Sequence, residues 1–408
     1  MKCRHCQSEH TLPFCDLGAA PPSNAYLTAQ RLDEPELSFP LRVRVCTECW
    51  LVQTQDFAQA DHLFDADYGY FSSMSTSWVD HASRYVAEMS ARLALDTQSH
   101  VVEVASNDGY LLQHVMARGI PCLGIEPTAS TAAAARTKGI PTREVFFESR
   151  VADELVAQGL SADLTVANNV LAHVPDINDF VLGFARLLKP QGVATFEFPH
   201  LLQLIRHSQF DTLYHEHYSC LSLLAVDRIF RSQGLQAFDV QELPSHGGSI
   251  RVFAQRALVG QRPVEDSVRA LIEQERFEQL DQPTAYQRIQ TDAERIKDDF
   301  LMFLIKCRRD GKKVGAYGAA AKGNTLLNFA GVRPDLLPYV VDRSPGKLGR
   351  FMPGSRIPIV NLDHLLQQRP DIVVILPWNL REEISDQLGF IRAWGGQFAI
   401  AVPRLQVF

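Results

Sequence analysis

The stretch that decides the fold is residues 101–126, VVEVASNDGYLLQHVMARGIPCLGIE. Its apolar start, 101–105, predicts a buried strand, and the polar residues 106–109 predict a tight turn. A helix is expected over 110–118, followed by a second strand over 121–126 that ends in a carboxylate. An acid at the end of the second strand of such a unit is placed to accept the hydroxyl groups of a ribose. The stretch therefore predicts a nucleotide-binding α/β sheet.

The turn of this unit carries a single glycine, Gly109, and so lacks the GxGxxG fingerprint of dinucleotide-binding folds. A pyrophosphate requires close approach of the backbone, whereas Glu103, Ser106 and Asn107 offer polar side chains. S-adenosylmethionine (SAM) carries a nucleoside but no phosphate, and it suits this set better. We expect the SAM contacts to come from Glu103, Ser106, Asn107, Gly109, Glu126, Phe146 and Asn168.

The elements that follow have the order of a SAM methyltransferase sheet. Residues 163–175 predict a strand with an exposed end, 180–188 a helix, 192–199 a strand, 221–234 a helix, and 237–243 with 245–253 two antiparallel strands. Within this region His173, taken alone, favours a packing or capping role over a catalytic one. The whole run of elements is a stronger signal than the single glycine of the turn.

Two CxxC pairs, Cys3/Cys6 and Cys46/Cys49, lie 39 residues apart near the start of the chain. Four thiolates arranged as a tetrahedron form a closed structural Zn²⁺ site. The alternative is a redox dithiol, which needs only one pair. Because four thiolates close the coordination shell, we expect this zinc to hold the N-terminal domain together without touching substrate.

The middle of the chain contains Tyr214-His215-Glu216-His217-Tyr218, in which every side chain is an imidazole, a carboxylate or a phenol. A single histidine there could belong to a polar corner that satisfies nearby backbone groups. This density of titratable groups instead favours an active site, since histidine exchanges protons near neutral pH and a carboxylate can orient it.

A second α/β unit begins with a strand over 313–317 and a turn of small residues, 318–325, that opens a helix. A further strand over 336–342 ends in an acid, and strands over 371–376 and 396–402 follow. Amides at the start of a helix can bind an anion, and Lys322 adds a point charge. A diphosphate is the expected anion, although close helix–sheet packing also explains the alanines. The apolar stripe within 262–310 predicts helices that pack and link.

The chain has 408 residues and a net charge of −7, which favours two or three domains and gives no electrostatic footprint for nucleic acid or an anionic membrane. No apolar run reaches transmembrane length, so we expect a cytoplasmic protein. The expected domains are a zinc-binding lid domain over 1–75, a methyltransferase domain over 76–256, a helical linker over 257–310 and a Rossmann-like domain over 311–408. A monomer or a weak homo-oligomer is expected.

In their order along the chain, the paired cysteines, the 214–218 stretch and the 318–328 turn resemble the sugar C-methyltransferases that act on nucleotide-linked keto-deoxysugars. The resemblance implies structural zinc, SAM as methyl donor and a nucleotide sugar, with dTDP expected, held by the C-terminal domain. It also implies roles for individual residues: His217 as general base with Glu216 and Tyr214 beside it, Tyr68 and Tyr70 as lid tyrosines, and His246, Lys322 and Asn324 as substrate contacts.

The implied chemistry agrees with the residues. A ring carbon becomes a nucleophile as an enolate, after a base removes a proton next to a ketone, and an imidazole suits that step. Three alternatives remain at this point: a SAM-dependent O- or N-methyltransferase, a non-enzymatic zinc-knuckle binding protein and an NAD-dependent sugar oxidoreductase. The last is disfavoured because Gly315-x-x-Gly318 lacks the full dinucleotide fingerprint.

Overall fold

A computed structural model describes residues 1–57 and 71–408. Within these ranges the strands form three sheets, which follow one another along the chain. The exception is one strand that lies in the first sheet although its neighbours in sequence belong to the second. The expected lid tyrosines, Tyr68 and Tyr70, lie outside the described residues. No helix in the described ranges combines the length and the apolar character needed to cross a membrane.

The first sheet has four antiparallel strands in the order β1-β2-β3-β9. They are β1 (Thr11–Ala20), β2 (Phe39–Cys46), β3 (Val52–Thr54) and β9 (Ser219–Cys220). The alternation in β2 buries Leu41, Val43 and Val45, as a strand with one covered face requires. Strand β9 comes directly after the 214–218 stretch, so this stretch is attached to the edge of the first sheet.

The second sheet has seven strands in the order β10-β11-β8-β7-β4-β5-β6. They are β4 (Val101–Val104), β5 (Cys122–Ile125), β6 (Thr142–Arg143), β7 (Ala162–Asn168), β8 (Leu188–Pro199), β10 (Leu235–Leu243) and β11 (Ser249–Arg256). Strands β4 to β8 are parallel, and β11 runs antiparallel to its two neighbours. This topology confirms the predicted class I methyltransferase sheet. The chain changes direction across the sheet between β4 and β7, where open α/β sheets bind ligands.

Helices cover this sheet: α1 (Thr76–Arg92), α2 (Leu112–Met116), α3 (Ala129–Thr137), α4 (Ser149–Ala157), α5 (Ile177–Leu187) and, after the short helix α6 (Leu201–Arg206), α7 (Leu223–Ser232). The buried leucines of α6 belong to the core that the first and third sheets share. Short polar residues start several of them. The side chains of Ser75, Asp176 and Ser222 each accept a hydrogen bond from a backbone N–H of the first turn. Such caps satisfy amides that have no partner inside the helix.

The third sheet has six strands in the order β14-β13-β12-β15-β16-β17 and is parallel except for β17. They are β12 (Val314–Tyr317), β13 (Val340–Val341), β14 (Ile359–Val360), β15 (Ile372–Ile375), β16 (Gln397–Ile400) and β17 (Gln406–Val407). The strand expected over 336–342 is shortened to β13, and Pro338 just before it offers no backbone donor.

Helix α8 (Asp266–Phe277) packs against the second sheet, where Val268 and Leu271 join its core. Four helices accompany the third sheet and its approach: α9 (Ile289–Arg309), α10 (Ala321–Phe329), α11 (Leu362–Gln368) and α12 (Arg381–Gln387). The predicted apolar stripe lies on α9, where Ile289, Ile296 and Phe300 are buried. These residues share one core with strands of the first and third sheets. Helix α9 therefore joins those sheets through a common core and does more than span the distance between them.

Candidate active site

The four cysteines converge as the sequence predicts. Their sulfur atoms all lie within 4.8 Å of one another, and Cys3 is 3.5 Å from Cys49 while Cys6 is 3.5 Å from Cys46. Cys3, Cys46 and Cys49 are buried and Cys6 is exposed. Four sulfur donors at this spacing fit Zn²⁺, which prefers tetrahedral thiolate sites. Across residues 1–57 and 71–408, no other set of three or more His, Cys, Asp or Glu side chains converges in this way.

Arg4, between Cys3 and Cys6, contacts the loop between β7 and α5 and the end of β3. The Arg4 guanidinium donates to the carbonyls of Pro175 and Thr54 at 2.8 and 3.0 Å. Thr54 in turn donates its hydroxyl to the carbonyl of His217 at 2.7 Å. The zinc knuckle is therefore connected by hydrogen bonds to the 214–218 stretch.

The expected SAM turn lies at the point where the strand order reverses. Asn107 and Gly109 both have positive φ, 50° and 76°. A Cβ on Gly109 would lie 2.2 Å from the Cδ1 of Ile140, so this position requires glycine for two reasons. The backbone N–H of Asn107 donates to a carboxylate oxygen of Glu126 at 2.9 Å. The turn after β4 and the acid after β5 are thus fixed relative to each other.

Glu126 is buried, and its carboxylate is held by three donors: the amides of Asn107 and Thr128 and the hydroxyl of Thr131. A carboxylate held so rigidly at the end of β5 is placed as the ribose contact requires. Glu103 lies within β4 and is also buried. Burial raises the pKa of Glu103 well above its ordinary value, while a hydrogen bond from Tyr110 acts in the opposite direction.

Two polar side chains at the same sheet edge have atoms without a partner in the described part of the chain. Both the nitrogen and the oxygen of the Asn168 amide are buried and unbonded, and so is the Ser106 hydroxyl. Buried polar groups are nearly always hydrogen-bonded, so these atoms call for a polar ligand. Phe146, on the loop after β6, leaves 43% of its surface exposed and offers an aromatic face. The set fits SAM, whose sulfonium would supply the methyl group.

The segment before α1 contacts the same turn. The backbone N–H of Ser72 donates to the side chain of Asn107 at 2.8 Å, and the Ser73 hydroxyl donates to Asp108. Lys138 forms an ion pair with Asp108 from the other side at 3.1 Å. Residues 72 and 73 therefore cover one side of the cofactor turn.

His217 is fixed by two hydrogen bonds. Its Nδ1 lies 2.7 Å from the Thr212 carbonyl, and its Nε2 lies 2.6 Å from the Tyr214 hydroxyl. A carbonyl oxygen only accepts, so Nδ1 carries the proton and the unprotonated Nε2 accepts the hydrogen bond of the Tyr214 hydroxyl. Burial lowers the pKa of His217 well below its ordinary value, and His173 and Lys322 act in the same direction. The ring is therefore a neutral imidazole at pH 7.

The neighbours of His217 in the stretch have other partners. The carboxylate expected to orient its imidazole, Glu216, instead accepts a hydrogen bond from Asn24 at 2.7 Å, and the Thr212 carbonyl does the orienting. Residues 214–217 form a turn closed by the hydrogen bond from the His217 N–H to the Tyr214 carbonyl at 2.9 Å, and the carboxylate of Glu216 points toward Asn24 and not toward the His217 ring. Burial raises the pKa of Glu216 to about 7. The Nε2 of His215 lies 3.1 Å from the Phe39 carbonyl, so this ring faces the first sheet.

His173 lies in the site even though its sequence context favoured simple packing. Its ring packs edge-on against His217 with 4.6 Å between centroids. Burial lowers the pKa of His173 to about 4. His173 is thus a buried packing residue that also contacts His217, and its own sequence context could not show this contact.

The loop after β10 brings His246 to the same place. The strand expected from residue 245 starts at 249, because 245–247 form a tight turn in which His246 has φ of 55°. Its Nε2 lies 3.1 Å from the side-chain nitrogen of Asn169, and burial lowers the pKa of His246 to about 4. Asn169 was not predicted, although the Asn-Asn pair at the end of β7 is a usable signal.

The C-terminal unit contributes Lys322, at the start of α10. Its ammonium donates to the His246 carbonyl and to the Asn379 side chain, both at 3.2 Å, and lies 4.7 Å from the Trp378 ring centre. Asn324 is buried two residues later, and its side chain accepts from Asn328. An ammonium has three donors, so Lys322 retains one for a further acceptor. Trp378 was missed because it follows β15 in a segment with no recognised motif.

Comparisons with known proteins support the same assignment along the whole chain. Residues 3–64 match a family model described as “Putative zinc binding domain”, residues 78–240 one described as “Methyltransferase domain”, and residues 244–403 one described as “C-methyltransferase C-terminal domain”. C-methyltransferase NovU of Streptomyces niveus is 32% identical over 406 residues, which cover 100% of this chain and 96% of that protein.

Two solved structures are among those that superimpose. A SAM-dependent methyltransferase from Clostridium acetobutylicum ATCC 824 gives a TM-score of 0.35 at 12% identity and covers 45% of this chain and 92% of its own. The SAH-bound magnesium protoporphyrin IX methyltransferase of Synechocystis PCC 6803 gives 0.34 at 15% identity, with 44% of this chain and 83% of its own.

The full-length relative and the three family models decide between the alternatives left open by the sequence. The relative and the C-terminal family model are both C-methyltransferases, whose methyl acceptor is carbon. They therefore decide against an O- or N-methyltransferase, a non-enzymatic binding protein and an NAD-dependent oxidoreductase. The chain belongs to the family of SAM-dependent C-methyltransferases that carry an N-terminal zinc-binding domain.

Proposed function

We propose that the enzyme methylates a ring carbon next to the ketone of a nucleotide-linked 4-keto-deoxysugar, with dTDP as the expected nucleotide, and so makes a branched deoxysugar. The observation that carries this proposal is the hydrogen-bonded pair of His217 and Tyr214, in which the Thr212 carbonyl fixes the imidazole tautomer. A neutral imidazole whose unprotonated Nε2 is released by Tyr214 when substrate binds is suited to removing a proton from carbon. A methyl acceptor with a nucleophilic heteroatom has less need of such a base.

The proposed sequence begins with substrate binding against Tyr214. Its hydroxyl moves its donor from the Nε2 of His217 to the ketone oxygen, where negative charge will develop. The freed Nε2 then takes the proton from the adjacent carbon, and the pair of electrons left behind forms an enolate. The electron pair on that carbon would form the new bond to the methyl group, while the bond between this methyl group and the sulfonium of SAM would break and leave S-adenosylhomocysteine. The proton remains on His217 until it passes to solvent.

Glu216 stays in the proposal as a second group of the site, with a role that differs from orienting His217. Its pKa of about 7 leaves a large share of the carboxyl protonated at neutral pH. A protonated carboxyl can donate a hydrogen bond to a sugar oxygen, which a carboxylate cannot. One of its oxygens has no partner among the described residues and is free to make that contact.

The C-terminal unit is proposed to hold the nucleotide. Lys322 and Asn324 lie in the first turn of α10, at the sheet edge where open α/β sheets bind ligands. Lys322 would contact the diphosphate and His246 the sugar. The SAM contacts and the lid tyrosines Tyr68 and Tyr70 complete the proposed site, and the four domains are proposed with the boundaries predicted from the sequence.

The substrate proposal is tested with a panel of nucleotide sugars. The purified enzyme is incubated with SAM and with dTDP-, UDP- and GDP-linked 4-keto-deoxysugars, and with the matching sugars whose ketone is reduced to an alcohol. We expect a mass gain of one methyl group on the sugar part of keto compounds alone. Methylation of the reduced sugars at the same rate would contradict a mechanism through an enolate.

A further inference from the structure

The short turn Phe210–Thr212 contacts the proposed base on its Nδ1 side. Its last residue supplies the carbonyl that accepts the Nδ1–H of His217 at 2.7 Å. The tautomer of His217, and so the direction of its Nε2 lone pair, depends on where this one carbonyl lies. Whatever holds residues 211–213 in place therefore also positions the base.

The residues on both sides of Thr212 are hydrogen-bonded by side chains of the C-terminal unit. The indole N–H of Trp378 donates to the carboxylate of Asp211 at 2.7 Å. The hydroxyl of Thr325, on α10, donates to the carbonyl of Leu213 at 3.1 Å. The peptide that carries the Thr212 carbonyl is thus held at each end by residues more than a hundred positions away in the chain.

Simple packing does not account for this arrangement. Asp211 is fully buried, and burying a carboxyl group costs free energy that an apolar residue of similar size would not cost. One of its oxygens accepts from Trp378, and the other has no partner among the described residues. The aromatic contact beside it, between Phe210 and Phe329 at 5.6 Å, already supplies packing. The polar bond adds orientation, which packing alone lacks.

We propose that Trp378 and Thr325 are positioning residues for methyl transfer: by holding Asp211 and Leu213, they set the Thr212 carbonyl and keep the His217 lone pair aimed at the substrate carbon. The inference rests on the proposed role of His217 as the base. It gives the C-terminal unit a second task, since the unit expected to hold the nucleotide also completes the base. Trp378 itself lies against Lys322, which links the two tasks.

The test uses the full-length enzyme and a pair of nearly isosteric variants. Thr325→Val removes the hydroxyl and keeps the volume, whereas Thr325→Ser keeps the hydroxyl. We expect kcat to fall about tenfold or more in Thr325→Val, as displacement of a catalytic group by a fraction of an ångström can do, and to recover in Thr325→Ser. The dissociation constant of SAM should change by less than about twofold in both variants, because Thr325 does not contact the cofactor turn.

A second pair of variants tests the indole. Trp378→Phe keeps a ring beside Lys322 but removes the N–H, and Trp394→Phe removes the matched indole N–H that donates to the Pro370 carbonyl at 3.1 Å. We expect the loss of kcat in Trp378→Phe alone. If Trp378→Phe does not fold, the Thr325 pair decides the question.

A readout beyond activity is the tautomer of His217, measured by ¹⁵N NMR of histidine-labelled enzyme. The wild type should show the proton on Nδ1, and Thr325→Val and Trp378→Phe should show a mixture of both tautomers. Unchanged tautomers and unchanged kcat in both variants, with an inactive His217→Asn enzyme, would overturn this inference and leave the proposed function standing. An active His217→Asn enzyme would instead remove the proposed function.

Discussion

The four-cysteine cluster and the histidine cluster around His217 assemble titratable side chains in opposite ways. The four sulfur atoms point at one centre and lie within 4.8 Å of one another. The imidazoles of His173 and His217 pack edge-on, yet the ring nitrogens of the cluster do not converge on one centre: His215 and His217 each bond a different backbone carbonyl. Convergence suits a metal ion, whereas separate partners fix the tautomer and the pKa of each ring. The comparison shows that density of histidine does not by itself indicate a metal site.

The largest expected effect comes from breaking the thiolate cluster. Cys46→Ser should lose zinc and destabilise the first sheet by several kcal/mol, since structural zinc can contribute about 10 kcal/mol or more in small domains. Metal analysis and thermal unfolding measure the two effects. The matched control is Cys15→Ser, because Cys15 is a buried cysteine of the same sheet outside the cluster. A zinc-free wild-type protein, purified without chelator, would contradict the assignment.

Breaking the histidine cluster should have the reverse signature. His217→Asn should lower kcat by about 10²- to 10⁴-fold, the usual weight of general base catalysis, while zinc content stays unchanged. Because burial lowers the pKa of His217 below 6.5, protonation of His217 should not reduce the wild-type rate as the pH falls through that value. His215→Asn is the control and should retain activity. A dead His215→Asn enzyme beside an active His217→Asn enzyme would move the base to His215.

Glu216 is the acidic residue next to His217 in the chain, and its protonation should be visible in the stability of the protein. Burial raises the pKa of Glu216 from 4.5 to about 7, so the folded state holds an extra proton between these pH values. The raised pKa of Glu216 therefore contributes fully to the free energy of unfolding below pH 4.5, and this contribution is lost as the pH rises to about 7. Glu216→Gln cannot lose a proton and still accepts from Asn24.

The variant should therefore gain stability over the wild type across this pH range. The difference should reach no more than about 3 kcal/mol and stay constant above pH 7. Denaturant unfolding at several pH values measures it. A difference that does not depend on pH would show that Glu216 is ionised throughout.

The smallest expected effect changes neither cluster. Glu126→Gln should weaken SAM binding by about 1–3 kcal/mol, because a neutral amide leaves charged or polar partners unsatisfied. Calorimetric titration of SAM measures it, with Glu144→Gln as a control, since Glu144 is a surface acid paired with Arg136. An unchanged dissociation constant in Glu126→Gln would refute the ribose assignment.

Much of the fold could be predicted because its signals are local. The strand, turn and acid of 101–126 and the small residues before α10 are contiguous, and the two CxxC pairs have a spacing that only a few chemistries use. The structure confirms the class I sheet and the convergence of the four cysteines. Chain direction and hydrophobic pattern were enough for these features.

The parts of the site that escaped prediction depend on contacts distant in sequence. Asn24 meets Glu216 across 192 positions, and Trp378 meets Asp211 across 167. The partner of the His217 imidazole is a backbone carbonyl, which every residue has, so no residue type at Thr212 could have marked it. Position in three dimensions decides these roles, and the sequence pattern around each residue does not reveal it.

The most direct test of the central claim is proton exchange without methyl transfer. Enzyme and a dTDP-linked 4-keto-deoxysugar are incubated in deuterated water with an unreactive SAM analogue, and the sugar is analysed by NMR. The account predicts deuterium at one ring carbon next to the ketone with wild-type enzyme, and none above the background rate with His217→Asn. Equal exchange in the two enzymes, or methylation by His217→Asn at the wild-type rate, would contradict His217 as the base that forms the enolate.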